Sequence, residues 1–211
     1  MSTATLKPSS RPVFKARQTS RRMEIIEAAL DQFSAHGYDG ATLKDIAEAI
    51  GLTHAALYYY YKSKDALLFG AVDLVLSNVL EALQNCYAQN ASPKACLRAM
   101  ITTQLEDEFR NRQAMPLIDS VLFGAHSRRA ILTKDQSRQL RKRQKDMLTL
   151  YHDTITKGIA QGEFAVDDVR TTIFSIMGMI THAPYWANPK DKAEMSRFIE
   201  QQTEVCLRLI G

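Results

Sequence analysis

This sequence of 211 residues lacks most of what covalent or metal chemistry needs. It has three cysteines, Cys86, Cys96 and Cys206, and none stands at a C-x-x-C or Cys/His metal spacing. An odd, scattered set of this kind suits buried thiols in a reducing compartment, and nothing beside them clearly lowers a thiol pKa for redox sensing. His126, His152 and His182 also lack ligand spacing, so no metal is expected, and His182 reads as a hydrogen-bonded core residue of an apolar helix. No phosphate-cradling glycine loop, nucleophile–base pairing or paired-carboxylate signature is found, which argues against an enzyme and its cofactors. Glycine and proline are sparse, at nine and six, which fits an all-α protein. No segment alternates with period two, and no internal repeat is present. The N-terminus has no apolar signal region, and the apolar run Ile173 to Ile180 is far too short to span a membrane. A cytoplasmic protein is expected.

What is present is helical periodicity, organised around residues 42–64. Thr42 can N-cap a short helix, with Asp45 three residues on as a capping-box partner. Ile46, Ala47 and Ile50 give that helix a buried face, and Gly51 can take the positive φ that redirects the chain. Thr53 then opens a second helix whose inward face needs Leu57 and Tyr61. These are the features of a helix-turn-helix, whose second helix enters the DNA major groove. The outward set is Thr53, His54, Ala55, Ala56, Tyr58, Tyr59 and Tyr60, suited to base edges and phosphates. A helix cannot bury four consecutive tyrosines, so at least two rings must face outwards. Arg21, Arg22, Thr42, Lys44, Lys62 and Lys64 complete the expected DNA contacts.

Charge agrees with this placement. Of a net +4, residues 1–64 hold nine Lys/Arg against six Asp/Glu, and residues 65–211 hold eighteen against seventeen. Residues 1–20 read as a flexible basic arm, either a solvated tail or an extra phosphate or minor-groove contact.

Residues 21–70 resemble the DNA-binding domain of the tetracycline-repressor (TetR) family of bacterial regulators. The residues that carry the likeness are Ile26, Ala29, Leu30, Phe33, Gly37-Tyr38, Thr42, Ile46-Ala47, Gly51, Leu57-Tyr58, Tyr60-Tyr61, Lys62-Ser63-Lys64 and Ala66-Leu67-Leu68. Tyr61 stands where the family more often has Phe, which adds a hydroxyl needing a partner. The resemblance implies an all-α fold: a three-helix helix-turn-helix domain over 21–66, and a larger ligand-binding and dimerisation domain over 67–211. It also implies a homodimer whose last two helices form a four-helix bundle with a second subunit, on an inverted-repeat operator.

Caps beyond the fourth helix place further helices from Ser92-Pro93 to about Arg112, from about Pro116, from Thr133 to Gln161, from Asp167 to about His182 and from Asn188-Pro189 to Leu209. Candidate dimer residues are Ile173, Ile176, Ile180, Phe198, Val205 and Leu209. Candidate pocket residues are Phe109, Met115, Leu122, Phe123, Met147, Tyr151, Phe174, Met177, His182, Tyr185 and Trp186, a set that is also compatible with ordinary core. The run Arg128 to Lys145, eight basic residues and one acid, reads as a solvated helix face or as an anion site at a pocket mouth. The turn Gln161 to Phe164 resembles C-terminal domains that sense acyl-CoA thioesters. The expected function is a dimeric repressor released from DNA by a small-molecule effector, an acyl-CoA or other hydrophobic metabolite. The alternative is a ligand-independent, chromosome-organising DNA-binding factor of the same fold.

Overall fold

The computed structural model describes residues 11–123 and 131–211, with side chains from Ser20 onwards. The first ten residues of the expected arm therefore lie outside the described residues, as do Arg128, Arg129 and His126. Every regular element described is helical: α1 (Arg11–Gly40), α2 (Leu43–Ala49), α3 (His54–Tyr60), α4 (Lys64–Gln89), α5 (Pro93–Arg110), α6 (Met115–Leu122), α7 (Lys134–Ala160), α8 (Val169–Trp186) and α9 (Lys192–Leu207). The chain divides into two compact units, one ending at Ala71 and the other beginning at Val72.

In the first unit, α1 is interrupted at Gly37, whose φ of 71° and ψ of 167° are not helical. It begins ten residues earlier than expected, so Arg11–Ser20 is helix rather than arm. Lys15, Ala16, Arg17 and Gln18 are good helix formers, and extending a helix already nucleated is easy. Ile25, Ile26, Ala29 and Phe33 of α1 form a core with Ile46 and Ala47 of α2 and Leu57 of α3. α2 packs on both α1 and α3. Its end is a Schellman turn: Gly51 takes φ 64°, its N–H donates to Glu48, and the Leu52 N–H donates to Ala47 at 2.8 Å.

In the second unit α5 is the hub, packing against α7, α8 and α9. Ser92 caps it, with Pro93 in its first turn, as the sequence predicts. Thr133 and Gln136 form the expected reciprocal capping box at the head of α7, at 3.2 and 2.8 Å. Two caps fall elsewhere than expected. α8 is capped by Asp168 rather than Asp167, through the Thr171 N–H, and runs on past His182 to Trp186. α9 is capped by Asp191 rather than Asn188. There the Asp191 carboxylate accepts from the Glu194 N–H at 2.8 Å, and the Glu194 carboxylate reaches back to the Lys190 N–H, also at 2.8 Å.

By length and composition α4 comes closer to a membrane span than the run Ile173 to Ile180. Over an 18-residue window its mean hydropathy is 1.8, which by length and composition alone would suffice. Half of that window is buried in the protein, however, and a core helix covered on several sides passes the same test.

Candidate nucleic-acid interface and ligand cavity

The first unit presents α3 in the manner its sequence implies. Leu57 is wholly buried and Tyr61 nearly so, which turns Tyr58 and Tyr59 outward at 47 and 64 % exposure. Thr53 is the N-cap, its Oγ1 accepting from the Ala56 N–H at 3.1 Å, and it stays exposed beside His54 and Ala55. Ala56 and Tyr60 are half-buried, Tyr60 meeting Tyr59 edge-on at 5.3 Å. The Lys62 ammonium lies 4.9 Å from the Tyr58 ring centroid, at the C-terminal edge of the same surface. Thr42 caps α2 by accepting from the Asp45 N–H, and its hydroxyl donates to the Asp45 carboxylate at 2.7 Å. Lys44 is exposed on α2, 3.7 Å from Glu48.

Three basic residues have partners that the sequence did not reveal. Arg21 pairs with Glu24 one turn on. Arg22 lies over the Tyr61 ring at 5.6 Å, which supplies the extra hydroxyl's neighbour. Burial nevertheless holds the Tyr61 hydroxyl above its usual pKa, against the opposing pull of Arg22. Lys64, expected as a phosphate clamp, has another task. Its ammonium donates to the carbonyls of Tyr38, Asp39 and Ala41 at 2.7, 3.3 and 3.1 Å, and lies over the Tyr38 ring. An ammonium has three protons, so none is left to face a phosphate.

The second unit contains a cavity of about 290 Å³, near the lower end of the usual size for a ligand site. Its walls are mostly apolar and come from five helices, α4 to α8. Of the expected residues, Met115, Leu122, Phe123, Met147, Phe174 and Met177 line it. Phe123 and Phe174 are 65 and 53 % exposed, so the cavity reaches solvent beside these rings.

The other five candidates do not line it. Phe109 is buried edge-on against Phe198, and Tyr151 is fully buried, its hydroxyl donating to Gln104 at 3.0 Å. That burial raises the Tyr151 pKa well above the phenolic range. His182, Tyr185 and Trp186 are exposed near the end of α8, where the helix has run out beyond the walls, so His182 is not the core residue expected. Tyr185 donates to Asp119 at 2.6 Å, and Trp186 stacks edge-on with Phe198.

What sequence reading missed are the polar members of the wall: Gln104, Asp107, Glu108, Asp119, Gln144 and Thr181. Glu108 is 8 % exposed, and its Oε2 is buried without a hydrogen-bond partner. Burial first, then the nearby Asp119 and Asp107 carboxylates, push its pKa up to about 8. Asp107 is also raised by burial, but Arg110 at 3.2 Å and Asn111 at 3.0 Å hold its carboxylate. No Lys or Arg is among the described lining residues.

Three of the described basic residues of the run are paired with acids. Arg138 bonds Asp135, Lys142 bonds Asp146, and Arg143 grips Asp73 through two hydrogen bonds of 2.6 and 3.0 Å. The Gln161–Phe164 turn closes α7: Gly162 takes φ 73° and Phe164 lies on Gly158. Glu163 accepts from Ser92 and from the Lys94 N–H, tying this turn to the head of α5.

The dimer expectation needs partial correction. Ile173, Ile176 and Ile180 are 5, 0 and 0 % exposed, so the chain's own core consumes them. Phe198 is half-buried between Phe109 and Trp186. Val205 and Leu209, each 43 % exposed, remain on the surface.

Comparison with known proteins places both halves. The family described as "Bacterial regulatory proteins, tetR family" matches residues 25–71, and "Tetracyclin repressor-like, C-terminal domain" matches residues 90–210. The chain belongs to the TetR family. It is 28 % identical over 191 residues to the HTH-type transcriptional regulator RutR of Escherichia coli K12, covering 90 % of this chain and 82 % of that one. A TetR/AcrR-family regulator from Thermobifida fusca superposes with a TM-score of 0.71 at 27 % identity, over 89 % of this chain and 97 % of the other. FadR of Bacillus subtilis, solved with stearoyl-CoA, shares the fold at TM-score 0.69 and 19 % identity, over 90 and 99 % of the two chains. This TetR-family chain is thus an all-α, DNA-binding transcriptional regulator, and its relatives are regulators rather than enzymes.

Proposed function

We propose that the protein is a homodimeric repressor that leaves an inverted-repeat operator when a compact, largely apolar metabolite enters the cavity of its second unit. The observation that carries this reading is the cavity wall contributed by α4. Val75, Leu76 and Val79 face the cavity, while the same helix starts at Ser63, whose Oγ caps it inside the DNA-binding unit. A ligand that prefers one setting of α4 therefore biases the placement of α3. It must bind the released geometry more tightly than the DNA-bound one, because affinity alone shifts no equilibrium.

In this reading Thr53, His54, Ala55, Ala56, Tyr58, Tyr59 and Tyr60 meet base edges and adjacent phosphates. Thr42, Lys44, Lys62, Arg21 and Arg22 serve the backbone. One recognition helix reads only a few base pairs, so two-fold symmetry is needed for an operator of useful length. Val205 and Leu209 of the α9 region, with the exposed Phe174, Tyr185 and Trp186 of α8, supply an apolar surface for the partner. Action in the cytoplasm follows from the DNA target.

FadR of Bacillus subtilis binds stearoyl-CoA, but an acyl-CoA is a weak fit to this cavity. Its described walls hold Asp107, Glu108 and Asp119 and no cation, and Arg138, Lys142 and Arg143 of the nearby basic run are already paired. Another hydrophobic metabolite suits it better. The ligand-independent alternative leaves the cavity without a purpose. The test is to select genomic fragments bound by the purified protein and sequence them. A short inverted repeat upstream of few genes is expected; broad, motif-free recovery would overturn the reading in favour of the chromosome-organising one.

A further inference from the structure

We propose that the cavity's ligand is an amphiphilic amine, and that Glu108 receives its ammonium group while the apolar walls take its body. This rests on the cavity being the effector site. Its warrant is an unmet acceptor: Glu108 Oε2 is buried in the cavity wall on α5 without a hydrogen-bond partner among the described residues, the neighbouring Gln104 side chain only partly offsetting the cost of burying the carboxyl. Buried polar atoms in folded proteins are nearly always paired, so a lone one facing a cavity marks where a ligand's donor belongs.

Charge selects the kind of donor. The groups around Glu108 are Gln104 and Asp107 from its own helix, Asp119 from α6, Tyr151 from α7 and Tyr185 from α8. Asp107 is occupied by Arg110 and Asn111, and Asp119 accepts from Tyr185. Gln104 accepts from Tyr151. The described lining residues thus offer three carboxyls and no cation, a field that repels a ligand carboxylate or phosphate and draws an ammonium.

Binding has a definite proton balance below the carboxyl's own pKa of about 8. Neutral Glu108 loses its proton to solvent as the ammonium docks, so each bound amine releases up to one proton. Affinity therefore strengthens as pH rises from 6 towards 8, then levels until the amine itself deprotonates.

Three probes with one apolar body separate the possibilities: 4-phenylbutylamine, 4-phenylbutanol and 4-phenylbutanoate, titrated calorimetrically into the full-length protein at pH 6, 7 and 8 in two buffers. The amine should bind at least tenfold tighter than the alcohol or the acid at pH 8. It should weaken by about tenfold per unit below pH 7 and release protons. Glu108→Gln should lose the preference for the amine yet keep the alcohol. Its melting temperature should no longer fall from pH 5 to 8, the window in which the native carboxyl holds a proton that the unfolded one has lost. Gly178→Phe is the blocking variant. A Cβ at Gly178, which lines the cavity, meets nothing within 4 Å, so a side chain can start there in open space, and all three affinities should drop. Alcohol binding with no gain for the amine, or a preference for the acid, would overturn the amine assignment and leave the effector site standing. If none of the three probes binds, both fall.

Discussion

At the scale of single residues, identical chemistry in neighbouring positions meets opposite fates. Tyr59 is 64 % exposed and Tyr61 only 8 %, two positions further along. Tyr59→Ala should leave thermal stability nearly unchanged, within about 0.5 kcal/mol as for most surface changes. It should erase the preference for operator over random DNA, as a binding titration on both would show. Equal loss on the two would remove Tyr59 from the base-reading set. Lys62→Ala should weaken binding to all sequences and lower the salt slope by about one.

Lys64→Met belongs with stability instead. It removes the ammonium that three carbonyls share, so the DNA-binding unit should lose about 2 kcal/mol in a denaturant melt, with the salt slope unmoved. The outward tyrosines were legible because Leu57 and Tyr61 fix the helix face by local spacing. Lys64 was not, since its partners lie 23 to 26 residues earlier in the chain. Nor was Glu108: acids at helical spacing read as a solvated face until the tertiary fold covers them.

At the scale of elements, the ends of helices were more readable than their faces. Ser92, Thr133, Thr53 and Gly51 mark their boundaries through bonds spanning a few residues, which sequence order displays directly. The faces of α8 were misjudged because an apolar stripe of Ile173, Ile176 and Ile180 does not say whether its own chain or a partner will cover it. α7 gives a sharp test. A Cβ at Gly158 would lie 2.1 Å from the Phe164 ring, inside any contact distance. Gly158→Ala should therefore expel that ring and untie the turn, costing about 2 kcal/mol or more as overpacking does, despite alanine's better helix propensity. Gly158→Ala with Phe164→Ala should recover part of the loss, and calorimetric melts of the two variants would decide it.

At the scale of the whole molecule, the proposed dimer predicts that Val205→Asp with Leu209→Asp gives a folded monomer by sedimentation. Its affinity for an inverted repeat should fall at least tenfold, towards that for a half-site. A persistent dimer would place the seam on another face. One feature gives the protein an unplanned clock. All three cysteines lie beyond Val72, Cys96 and Cys206 are 3 and 0 % exposed, and burial lifts the Cys206 thiol to about 11. At neutral pH about one Cys206 in ten thousand is thiolate, even before access is counted. At Cys96 and Cys206 a thiol reagent therefore waits for the second unit to breathe, with half-buried Cys86 as the background, while the cysteine-free recognition unit is silent to it. The rate at which these two sulfurs are captured reads the opening of the effector half alone, without any introduced label.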